Sequence, residues 1–114
     1  MLGVVDDQER RRVIVYKRWL LRDQVHPDHV AAVVRDEIVP MYQRLSDDVA
    51  LGLELSPDGR SVLAIQRWQS RRAFQQALSG PRFERWWSRY QPILAQWDAM
   101  VVFDSEWETT ELIA

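Results

Sequence analysis

Residues Arg67 to Tyr90, RWQSRRAFQQALSGPRFERWWSRY, constrain the fold more than any other stretch, because they join a strand end to two short helices with their start and stop signals in place. Val62 to Trp68 has strand length and composition. Ser70 follows where its hydroxyl can cap a helix running through Leu78. Gly80 then ends that helix, and Pro81 opens a second one running to about Gln96, where its missing N–H would have had no partner. Three of the chain's six tryptophans fall in this segment.

The remainder supplies a consistent order of elements. Val13 to Leu21, VIVYKRWLL, reads as a first strand with apolar groups on both faces. His26 and Pro27 open a helix, and Asp28 suits the positive end of its dipole. Val30, Val33, Val34, Ile38, Met41 and Leu45 form one apolar stripe along it. Pro40 removes a backbone hydrogen bond inside this helix and predicts a bend or break near Asp36 to Val39, which would open space underneath. Val49, Leu51, Leu53 and Leu55 alternate with Ala50, Gly52 and Glu54; Pro57, Asp58 and Gly59 then turn the chain into the Val62 strand, completing a hairpin. Ala99 to Thr109 forms the last strand. The order β-α-β-β-α-α-β is the α+β, ferredoxin-like split βαβ arrangement, a four-stranded antiparallel sheet with helices on one face. Met1 to Arg12 reads as a poorly ordered arm, leaving 13–114 as a single domain.

A sheet covered on one side leaves a bare face. The Val49, Leu51, Leu53, Leu55 face is uniformly aliphatic, and strict alternation puts Met100 and Val102 on one side of the last strand with Val101, Phe103 and Trp107 on the other. Both sides therefore need cover. A contiguous apolar sheet face is a liability on a monomer, and two sheets packed face to face, burying ~800 Å² per subunit, would remove it. The expected partner is a second copy of the chain.

Composition excludes several functions. A chain of 114 residues with 46% apolar residues can bury one core. With 15 basic against 17 acidic residues it lacks the charge footprint of a nucleic-acid binder. No apolar run approaches the ~20 residues of a membrane span, and the first thirty residues are charged, unlike a signal peptide; a cytoplasmic location is expected. Cysteine is absent, which removes disulfides, thiolate nucleophiles, iron–sulfur clusters and thiolate zinc sites. His26 and His29 could bind a divalent ion or act as a base, but a helix start in solvent explains them as well, and no metal site is expected. Asparagine is also absent.

The strand-closing Trp68, the capping Ser70, Ala73 and Phe74, then Phe83 and Trp87 on the second helix, resemble the antibiotic biosynthesis monooxygenase type of dimeric α+β barrel over roughly residues 13–109. The resemblance implies a homodimer whose two sheets form one barrel. It also implies oxygenase chemistry without flavin or metal, in which the carbanion or enolate of an aromatic or polyketide-like substrate reacts with oxygen while the protein positions it. The implied residues are an asparagine four positions before the tryptophan, the tryptophan itself, a tyrosine on the following helix and an arginine further on. In this chain those positions hold Ala64, Trp68, Phe74, and Arg85 or Arg89. The haem-degrading branch uses a histidine where Trp87 stands.

On the last helix Phe83, Trp87, Tyr90 and Leu94 follow one stripe, with Trp86, Ile93 and Trp97 beside it. Packing alone would explain such a stripe. The functional reading has Trp68, Phe74, Phe83, Trp87 and Tyr90 lining a pocket between helix and sheet for a flat aromatic ligand, with no cofactor. Tyr16, Tyr42 and Tyr90 are the phenols able to donate to an oxyanion, which one well-placed donor stabilises by ~3 kcal/mol. Trp68, Tyr90, Arg85 and Arg89 are the candidate catalytic residues, and Tyr16, Phe74, Phe83 and Trp87 the candidate pocket wall. Two other readings stay open: a non-catalytic homodimer that binds a small hydrophobic molecule, and haem binding through an atypical ligand.

Overall fold

The computed structural model describes residues 8–113, and each expected element forms within two residues of its expected bounds. Strand β1 is Val13–Leu21, followed by helix α1 (Pro27–Val33), a π-helical turn (Val34–Ile38) and helix α2 (Val39–Leu45). Strands β2 (Val49–Leu55) and β3 (Ser61–Trp68) make the hairpin, helices α3 (Arg71–Ala77) and α4 (Gly80–Asp98) follow, and β4 is Val101–Thr110. The sheet is antiparallel in the order β2-β3-β1-β4, the ferredoxin-like arrangement. No helix among the described residues is long and apolar enough to cross a membrane.

Local chemistry explains the breaks. The His26 ring accepts from the Asp28 amide at 3.1 Å and so caps α1. Pro40 has no N–H to give the carbonyl four residues back, and the ladder slips instead: the Val39 amide bonds to the carbonyl of Val34, five residues earlier. The expected bend is thus a π-helical turn. Ser70 Oγ accepts from the Ala73 amide at 3.0 Å and caps α3. Gly80, at φ +86°, makes the corner between α3 and α4 that a side-chain-bearing residue adopts only with strain.

Residues 1–7 of the expected arm lie outside the described residues. The rest of it is tied down: Glu9 pairs with Arg72 at 2.8 Å, and Arg11 Nη1 donates to the carbonyls of Glu111 and Leu112 at 3.4 and 3.3 Å.

The register corrects the expected faces of the sheet. Val49, Leu51 and Leu53 pair across the hairpin with Trp68, Gln66 and Ala64, and this set packs against the core beneath the helices. It is the covered face. The opposite face carries Ile14, Tyr16, Leu20, Leu63, Ile65, Val102 and Trp107. Alternation fails because β4 has a bulge: Ser105 opposes Arg18 and Phe103 opposes Trp19, so Asp104 is an extra residue. Phe103 therefore turns to the helix side, edge-on to Trp19 at 5.3 Å, while Trp107 turns to the other side, stacked on Tyr16 at 5.4 Å with Arg18 over its ring.

Candidate functional site

Between β2–β3 and the helices lies a cavity of about 330 Å³, the size range of small-molecule sites. Each wall has a sequence origin. The π turn and α2 contribute Val34, Ile38 and Tyr42; α4 contributes Trp87, Tyr90, Leu94 and Trp97; the sheet contributes Lys17 and Trp19 from β1, Leu51 and Leu53 from β2, and Ala64 and Gln66 from β3. The slipped helical turn over Pro40 is thus part of the cavity wall. A second recess of about 500 Å³, bordered by Phe74, Phe83 and Trp86, shares Lys17, Tyr42, Gln66 and Trp87 with the first.

The aromatic wall is braced from behind. Trp86 and Tyr90 stack at 4.7 Å, and Tyr42 meets both edge-on at 5.1 and 5.8 Å. Trp86 is buried, and its Nε1 donates to the Met41 carbonyl at 2.6 Å, which ties α4 to α2. Arg82 likewise donates to the Arg44 carbonyl at the end of α2. Trp19 meets Trp97 edge-on at 5.5 Å and closes the far end. Trp87 remains 45% exposed while it borders both spaces, as expected of a ring at a mouth.

A polar file runs into this setting. Trp68 is fully buried, and its Nε1 donates to Gln66 Oε1 at 3.1 Å; Gln66 Nε2 donates to Tyr42 Oη at 3.2 Å. The amide can be oriented only this way, because the indole nitrogen is a donor and never an acceptor. Tyr42 therefore receives a hydrogen bond, and its own proton has no acceptor among the described residues. Burial pushes the Tyr42 phenol up to about 12, the bond from Gln66 opposing this only in part. Burial raises Tyr90 as well, helped by Tyr42 and Asp98 nearby. Both phenols are neutral donors at physiological pH.

The structure brings some expected residues together and separates others. Tyr90 and Trp87 line the cavity; Phe74 and Phe83 border the adjoining recess. Trp68 stands behind the wall, against Phe74 at 5.4 Å, and reaches the cavity only through Gln66. Arg85 and Arg89 are exposed and border neither space. Tyr16 is on the opposite face of the sheet. Sequence reasoning missed Lys17, Gln66 and Asp98, all on the cavity wall. Gln66 was findable: an amide two residues before Trp68 on a strand must share its face.

No family model matches the chain, and no curated protein matches it in sequence. Solved structures do match its fold. SnoaB, a cofactor-independent oxygenase from Streptomyces nogalater, superposes with a TM-score of 0.62 at 17% identity over 91% of this chain and 96% of its own. An alanine variant of that protein gives 0.64 at 19%. A protein from Chloroflexus aurantiacus, provisionally named an antibiotic biosynthesis monooxygenase, gives 0.61 at 13% over 90% of this chain and 95% of its own. The chain thus has the α+β fold of antibiotic biosynthesis monooxygenase-like proteins, as the resemblance around Trp68 implied.

Proposed function

We propose that the protein is a small cofactor-independent monooxygenase acting on an aromatic or polyketide-like compound held in the cavity between sheet and helices. The observation that carries this reading is the cavity itself: about 330 Å³, walled by Trp19, Trp87 and Trp97, with Lys17, Tyr42, Gln66, Tyr90 and Asp98 as its polar groups. Flat rings would stack on the indoles, and a phenol would donate to the oxygen where enolate charge builds up. The fold shared with SnoaB supports the class of chemistry. In such a reaction a ring CH₂ and O₂ give a ring carbonyl and water, the substrate supplying the electrons. Tyr90 keeps its proposed role as donor, and Trp68 acts through Gln66 as a positioning residue. Arg85 and Arg89 have no part in this reading, since neither borders the cavity.

One observation favours a second reading, binding without turnover. Ala64 and Phe74 place no polar group where the resemblance implies an amide and a phenol, and Phe74 packs on Trp68 and borders the adjoining recess rather than the cavity. Oxygen uptake with an anthrone separates the two. The first reading predicts uptake above the protein-free rate and anthraquinone formed in air but not under argon; a rate no higher than without protein leaves the binding reading.

The reading includes a homodimer, supported by the apolar face of Ile14, Leu20, Leu63 and Val102, where Leu20, Val102 and Trp107 stay 43%, 42% and 40% exposed. Sedimentation should give two chains per particle, and Trp107→Asp should give one.

A further inference from the structure

We propose that the Tyr42 hydroxyl and the Lys17 ammonium form an oxyanion-binding pair, so that the cavity selects flat aromatic ligands carrying an ionisable hydroxyl or enol over those lacking one. The inference rests on the reading of the cavity as an aromatic-ligand site and adds what that site recognises.

The order of the hydrogen bonds is the first argument. Trp68 can only donate, so Gln66 must present its oxygen to Trp68 and its NH₂ to Tyr42. Tyr42 is thereby used as an acceptor, and its proton is left for a group that the cavity receives. Had the amide been free to turn, the phenol could have given its proton to Gln66 and offered a ligand nothing but lone pairs. The buried tryptophan thus sets the polarity of a side chain it does not touch. Because burial keeps this phenol protonated, it meets an anionic oxygen as a donor.

Lys17 is the second argument. It sits mid-strand on the helix-facing side, directly across from Ala64, whose methyl group leaves the space above it open. It is the one cationic side chain lining the cavity among the described residues, and it borders the adjoining recess as well. Its nearest ionic contact, Glu106, is 3.9 Å away, beyond hydrogen-bond range, so the ammonium keeps its donors for a ligand. The other titratable groups facing the cavity are Tyr90 and Asp98. Asp98 belongs to the end of α4 beside Trp97 and repels an anion, which places a ligand's charged oxygen toward Lys17 and its rings toward the indoles. A lysine on β1 thus brings charge to the spot where Ala64 brings no amide.

The test uses two dyes that differ by one hydroxyl, 2-hydroxyanthraquinone and anthraquinone, titrated under argon so that binding is read without turnover. The wild-type protein should bind the hydroxylated dye about tenfold more tightly, the scale of one charge-assisted hydrogen bond. It should also show the ionised absorption band at a pH where the free dye is neutral. Tyr42→Phe and Lys17→Met should each abolish the band shift and bring the affinity for the hydroxylated dye down to that for anthraquinone. Gln66→Glu should do the same, because the new carboxylate takes the Tyr42 proton. Equal affinity for the two dyes, no binding of either, or variants that weaken both dyes alike would overturn the proposal. Should Gln66→Glu not fold, Lys17→Met and the ionisation of dye bound to wild type decide. Oxygenase turnover without dye preference would sink the pair and spare the proposed function; preference without oxygen uptake would do the reverse.

Discussion

Two neighbourhoods on the helix-facing side of one sheet show how differently the same residue types are used. At the end of β3, Trp68 is fully buried against Phe74, pairs across the sheet with Val13 and Val49, and spends its N–H on Gln66. Beside it in space, Tyr42, Tyr90 and Trp87 also pack ring on ring, yet they surround space, and the phenol protons have no acceptor among the described residues. The first region is saturated and holds structure. The second keeps hydrogen-bonding capacity in reserve, which is what a binding site requires. The more eye-catching sequence signal belongs to the saturated region, and the uncommitted hydrogen-bonding groups belong to its neighbour.

The sharpest way to break this contrast is to truncate each side. Trp68→Ala should cost ~3–5 kcal/mol of stability, the usual range for emptying a buried tryptophan site, measured by urea denaturation; a cost below ~1 kcal/mol would mean the site is not saturated after all. Trp86→Phe keeps the stack on Tyr90 but leaves the Met41 carbonyl without its 2.6 Å donor, and should cost ~1–2 kcal/mol by the same measurement.

On the cavity side, Tyr42→Phe should change stability by no more than ~1 kcal/mol, because it removes only one acceptor bond. It should also remove a pH effect. An unfolded Tyr42 ionises near 10 and the folded one near 12, so the folded state holds an extra proton between these values. Stability should be level below about pH 10 and fall from there through about pH 12; in Tyr42→Phe that fall should be shallower, with the remainder traceable to Tyr90, which is raised too. The smallest effect is expected outside both regions: Arg85→Ala with Arg89→Ala should shift stability within ~0.5 kcal/mol and leave dye binding unchanged, as exposed side chains do.

How much of this was legible in the sequence follows from which forces decide each feature. Caps, turns and proline positions act within a few residues, so Ser70, Gly80, Pro81 and Pro40 announce the elements correctly. Hydrophobic alternation on β2 was also legible, but a strand of aliphatic residues does not say which side receives the helices, and the expected bare face turned out to be the covered one. The bulge at Asp104 carried no signal, and it alone sends Trp107 away from Phe103. Among the site residues, Trp87 and Tyr90 were readable from the helical stripe. Lys17 was not, because a lone lysine in a strand ordinarily points to solvent, and only the pairing with Ala64 turns it over the cavity. Tyr42 was readable as one of three phenols able to donate, but not as the one on the cavity with its proton uncommitted, since that depends on a hydrogen bond from a residue 24 positions away.

The claim that the Tyr42 cavity, rather than the Trp68 corner, is the working site is tested most directly by a crystal structure with 2-hydroxyanthraquinone bound. The account predicts the dye between β2–β3 and α4, its rings against Trp19 and Trp97 and its ionised oxygen within hydrogen-bond distance of Tyr42 Oη and Lys17 Nζ. Dye bound on the outer face of the sheet, or in the cavity with that oxygen turned toward Asp98, would contradict it.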